Sequence, residues 1–91
     1  MAIGNVGGGL LLNADDGVHG FELWKSDGTE VGTVMVKDIN PSGGSGPFHF
    51  IDAGAKAFFF ADDGTHGYEL WETDGTSHGT VQVTDFFVDT P

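Results

Sequence analysis

Four chemistry-bearing residues occur twice at one spacing. Asp15, Asp16, His19 and Glu22 return 47 positions later as Asp62, Asp63, His66 and Glu69. Carboxylate oxygens gathered in a glycine-containing loop suit Ca²⁺, a hard cation that takes ~6–8 oxygen ligands. Asp15, Asp16, Asp62 and Asp63 are therefore candidate Ca²⁺ ligands. Their order does not follow the calcium-loop pattern D-x-[DN]-x-[DN]-G with a later Glu. The competing reading is that Asp and Gly simply shape a connection, with Glu22 and Glu69 accepting from backbone N–H groups. His19 and His66 stand directly before Gly20 and Gly67. Zinc needs ~3–4 converging ligands, and no such cluster is visible. A histidine in this setting is expected to bond backbone nearby.

Trp24 and Trp71 form the second equivalent pair. In a sugar-binding protein an aromatic face stacks on the C–H face of the ring. Glu22, Glu69, His19 and His66 would then supply polar contacts. Against this stands plain packing: a tryptophan inside a short strand, with Leu23 or Leu70 pointing the other way. Catalysis has little support. Ser26, Ser42, Ser45 and Ser77 lie in turns and lack the context of a strained nucleophile turn. "GGGLLL" at 7–12 lacks the lysine of a phosphate loop. The chain carries 14 acids, so some carboxylate pair will meet glycosidase spacing by chance. The expectation is a protein that is not an enzyme.

The elements that must position these residues repeat as well. Residues 14–39 aligned on 61–86 are identical at 17 of 26 positions. The match runs back, more weakly, through 2–12 over 49–59. Self-similarity at this period marks solenoids and propellers. "PFHFIDAG" and "GTVQVTDF" alternate as half-buried strands do, the latter placing Val81, Val83 and Asp85 on one face. "KAFFFA" and "YELW" are short apolar runs bounded by Gly and Asp turns. No stretch shows a helical period. Four short strands per unit predict an all-β chain of two four-stranded antiparallel β-propeller blades. The first blade is 1–39, the linker "NPSGGSGP" is 40–47, the second blade is 48–86, and "FVDTP" (87–91) is a tail. In "SDGT" and "TDGT" the Asp-Gly pair is expected to take a primed hairpin turn. Thr29 and Thr76 then return a hydroxyl bond to the turn backbone.

The phrases "ELWKSDGTEVGTVMVKDI" and "ELWETDGTSHGTVQVTDF" resemble the ELWxxDGT repeat family. That resemblance covers nearly the whole chain. It implies a propeller-like array of the kind found in tandem in bacterial proteins, many of them exported, and it implies no particular activity. Two units are far fewer than an array holds. In length and blade number the chain is similar to small two-blade oligomeric propeller lectins. Their motifs are absent, so that likeness is architectural only.

Charge narrows the partners. Three lysines, no arginine and 14 acids give a net charge of −11. Nucleic-acid affinity comes from Lys and Arg neutralising phosphates, and anionic membranes select the same residues. Neither partner is expected. No apolar run approaches the ~20 residues of a membrane span, and "MAIGNVGGG" lacks the basic start and apolar centre of a signal peptide. The compartment stays open. There is no cysteine, so no disulfide staples this short chain. Two blades alone would leave two apolar faces in water. Phe48, Phe50, Phe58, Phe59 and Phe60 cannot all hide inside one sheet. Covering them predicts head-to-tail association of the chain with itself, closing into a ring. A trimer of six blades is favoured, with dimer and tetramer as the other closures. Carbohydrate is the candidate ligand of a binding or scaffold module; the alternative is a purely structural repeat, a propeller fragment or minimal propeller without a ligand.

Overall fold

Alternation with a period of two decides what each strand buries, and glycine turns decide where each strand stops. The computed structural model describes residues 3–7 and 9–84. The first sheet is built from β1 (Ile3–Val6), β2 (Gly9–Asp15), β3 (Phe21–Ser26) and β4 (Val34–Lys37). The second is built from β5 (Phe48–Ala53), β6 (Lys56–Asp62), β7 (Tyr68–Thr73) and β8 (Val81–Gln82). Each sheet is an antiparallel meander in sequence order. No helix occurs among the described residues. Asp85, expected on the last strand, and the tail 87–91 lie outside the described residues.

The two sheets share one register at the 47-residue offset. Leu12 faces Trp24 and Ala14 faces Glu22 in the first sheet. Phe59 faces Trp71 and Ala61 faces Glu69 in the second. Each sheet therefore has two chemically distinct sides. The forward side of the first carries Leu11, Asn13, Leu23 and Lys25. Its equivalents in the second are Phe58, Phe60, Leu70 and Glu72. The rear side of the first carries Leu10, Leu12, Ala14, Glu22, Trp24 and Ser26. Its equivalents are Ala57, Phe59, Ala61, Glu69, Trp71 and Thr73.

The core lies where the forward side of the first sheet meets the rear side of the second. Leu11 and Leu23 come from one side, and Ala57, Phe59, Ala61 and Trp71 from the other, all buried. Phe50 joins them, its ring 5.5 Å from that of Phe59. It lies so close to β1 that a Cβ on Gly4 would stand 2.6 Å from the Phe50 Cβ. Only glycine lets β1 approach β5 there. The five phenylalanines thus divide: Phe59 and Phe50 turn to the core, while Phe48, Phe58 and Phe60 turn to the forward side of the second sheet, which no described residue covers.

The Asp-Gly-Thr turn differs from its expected geometry. Gly28 and Gly75 have positive φ, but Asp27 and Asp74 do not, so the primed turn, which needs positive φ at its first central residue, is not formed. Side chains set this loop instead. Asp27 Oδ1 accepts from the Thr29 N–H at 3.0 Å and from its hydroxyl at 2.6 Å. The Thr29 hydroxyl accepts from the Gly32 N–H at 3.0 Å, which is the returned bond the sequence suggested. Asp74, Thr76 and Gly79 repeat the set. A Cβ on Gly32 or Gly79 would overlap the Asp27 or Asp74 carboxylate. The phrase ends in Gly-Thr because the loop folds over its own aspartate.

Candidate functional site

The acidic loops are closed on themselves. Asp15 Oδ1 accepts from the Gly17 N–H at 2.8 Å. Asp16 Oδ1 accepts from the N–H groups of Val18 and His19, both at 2.9 Å. Its other oxygen meets His19 Nδ1 at 2.7 Å. Asp62, Asp63 and His66 make the same bonds in the second unit. The N–H groups of His19 and Val18 hold Asp16 down to about 2, well below the usual carboxylate value. The Asp16 carboxylate in turn raises His19. In Asp63, burial opposes the same kind of bonding to Thr65 and His66 and loses, so its value is also lowered. These aspartates act as Asx-turn acceptors. No group of three or more His, Asp or Glu suited to a metal ion forms among the described residues.

Glu22 bonds the returning linker, accepting from backbone N–H groups as the competing reading expected, while its charge still adds to the raising of His19. Glu22 and Glu69 are both buried. Glu22 Oε1 accepts from the Ile39 N–H at 2.9 Å and from the Ser45 hydroxyl at 2.6 Å, and Oε2 from the Asn40 N–H at 3.3 Å. It therefore fastens the linker to β3. Glu69 accepts from the Thr84 hydroxyl at 2.8 Å. Burial pushes Glu22 up to about 7; the Ser45 hydroxyl and the Ile39 and Asn40 N–H groups oppose this without overcoming it.

The shifts fix a pH dependence. Glu22 is raised in the folded state, so its contribution is complete below its unfolded value and fades as pH rises toward 7. His19 acts in the same sense through its own raised value. Asp16, Asp27, Asp63 and Asp74 are lowered, so their contribution is lost as pH falls below about 4. Urea denaturation should show greatest stability near pH 5. The fall from there to pH 8 should carry about 1–2 kcal/mol from Glu22 after solvent screening. In Glu22→Gln the slope between pH 5 and 7 should flatten.

Trp71 is buried at the sheet–sheet junction, 6 % exposed. Lys37 Nζ lies 6.0 Å from its ring centroid. No face of Trp71 is left for a sugar. Trp24, its equivalent, is half-buried on the rear side of the first sheet, away from the sheet–sheet junction. Both indole N–H groups are buried without an acceptor, which fits two rings placed for packing.

The feature that stands out is the junction itself. Lys25 Nζ donates to the Gly75 carbonyl at 3.0 Å and Lys37 Nζ to the Thr80 carbonyl at 2.9 Å. The Asn5 backbone N–H donates to Asp52 Oδ1 at 2.9 Å. Above them the linker is a strap. The Ser45 N–H donates to the Phe21 carbonyl of the first sheet at 2.8 Å. The Ser45 carbonyl accepts from the Asp62 N–H of the second at 3.0 Å. Asn13 Nδ2 donates to the Pro47 carbonyl at 3.2 Å. Sequence reading missed all of these, because each joins residues that no local pattern connects.

Among the described residues the opposite sides stay bare. On the rear of the first sheet Leu10 is 45 % exposed, with Leu12, Ala14 and Trp24 half-buried. On the forward side of the second, Phe58, Phe60 and Leu70 are half-buried. Phe48 extends that patch. Its ring lies 5.7 Å from Phe60 and 5.5 Å, edge-on, from Tyr68. Beside them His49 sits in a β-bulge with φ of 56°, a conformation rare outside glycine.

Comparison with protein-family models, with curated proteins and with solved structures finds no match.

Proposed function

We propose that the chain is a non-enzymatic assembly unit: two propeller blades that complete a ring by binding copies of themselves head to tail. One observation carries this reading. The two bare sides are, position for position, the same two sides that bury each other inside the chain. A forward side built on the 47-residue repeat already fits a rear side built on it. The bare forward side of the second sheet and the bare rear side of the first are thus a matched pair, held apart within one molecule. Such an interface is heterologous, and it closes only as a ring. Propellers hold ~4–8 blades, and three copies giving six is the favoured closure.

The placement of the repeated residues supports a scaffold over a sugar-binding role. The acids hold turns and the strap, and the tryptophans occupy packing positions, which in a ring would cover Trp24 as Trp71 is covered. Native mass spectrometry at micromolar protein should show one discrete assembly at three times the chain mass. A chain that remains a folded monomer at that concentration refutes the proposal.

A further inference from the structure

The chain has three cations, Lys25, Lys37 and Lys56. Two are committed to the internal junction, each donating to a backbone carbonyl of the loop between β7 and β8. The third stands on the bare forward side of the second sheet. Its Nζ lies 3.1 Å from Glu72 Oε2, and its side chain remains 53 % exposed.

Resting on the ring reading above, we infer that Lys56 is the donor that locks one copy to the next, with the Gly28 carbonyl of the second copy as its acceptor. The argument follows the repeat. Inside the chain, the Lys25 ammonium fills the Gly75 carbonyl. Between copies, Glu72 stands where Lys25 stood, and Gly28 stands where Gly75 stood. A carboxylate cannot donate to a carbonyl, so the equivalent contact lacks its proton. Thr84 likewise replaces Lys37, and its hydroxyl is already given to Glu69. Lys56 supplies the missing donor. Its ammonium has three N–H bonds, and one of them bonds Glu72 at the position that Lys25 holds in the first sheet. Glu72 thereby becomes the positioning residue for Lys56. The pairing also places the chain's last positive charge at the seam where copies of net charge −11 must meet. An ammonium-to-carbonyl bond is a charge-assisted one, roughly twice a neutral bond in strength.

The test compares dissociation constants by sedimentation equilibrium for the full chain, Lys56→Met and the double variant Lys56→Met/Glu72→Lys. Lys56→Met keeps an apolar stem and removes the donor. It should weaken assembly at least about tenfold, while circular dichroism and urea midpoint of the dissociated chain stay unchanged. The double variant restores at position 72 the lysine that the first unit uses at position 25. It should recover affinity to within about threefold of the original. Unchanged affinity in Lys56→Met, or no recovery in the double variant, overturns the inference while the ring reading stands. An original chain that does not assemble overturns both.

Discussion

Phe59→Ala should cost about 3–5 kcal/mol, a large share of the ~5–15 kcal/mol that holds a domain folded. Phe59 is the largest fully buried side chain among the described residues. It pairs with Trp71 across β6 and β7, and its ring packs on Phe50. Removing it opens a cavity between two thin sheets that meet through a single apolar layer. Neighbours cannot collapse into the space, because β-pairing fixes the strands on either side. A urea titration followed by tryptophan fluorescence measures the loss. Phe60→Ala, one residue along the same strand, points away from that layer and should change the stability of the unassembled chain by less than about 1.5 kcal/mol. Equal losses at both positions would contradict the division of sides described above.

The second large effect concerns assembly and uses two variants together. Phe58→Asp places a carboxylate on the forward side of the second sheet. Leu12→Asp places one on the rear side of the first. Each buries an unpaired charge at a seam between copies, a penalty of several kcal/mol, which is a hundredfold or more in affinity. Each variant alone should run as a single chain in size-exclusion chromatography with light scattering. Each nevertheless keeps one intact side, and the intact sides are complementary. An equimolar mixture should therefore form a one-to-one dimer and stop there. A mixture that stays dispersed, or two Phe58→Asp chains that pair with each other, would exclude a head-to-tail contact.

Much of this architecture could be read from the residues, and the reasons are local. The 47-residue offset, the period of two in "PFHFIDAG" and "GTVQVTDF", the short apolar runs "KAFFFA" and "YELW", and the Gly-Asp turns mark four strands in each unit. The surplus of phenylalanine in the second unit signals that one side lacks a cover. The rest depends on contacts distant in sequence. Glu22 is three residues from His19 in sequence. Its hydrogen-bond partners are Ile39, Asn40 and Ser45, brought in by the return of the linker over the sheet. Trp24 and Trp71 share the same Glu-Leu-Trp context, and what sets them apart is whether the other sheet lies on them. The Asp-Gly-Thr loop misled for another reason. Its threonine and aspartate compete with the backbone for the same bonds, and the side chains win.

The strap through Ser45 has a thermodynamic consequence. Because residues 40–47 tie the sheets together, their mutual encounter takes place at an effective local concentration on the order of millimolar. Dilution leaves that contact untouched and acts only on contacts between separate molecules. An assembly taken down in concentration should therefore come apart into intact two-sheet pieces, and a solitary sheet should never be a populated species at any stage.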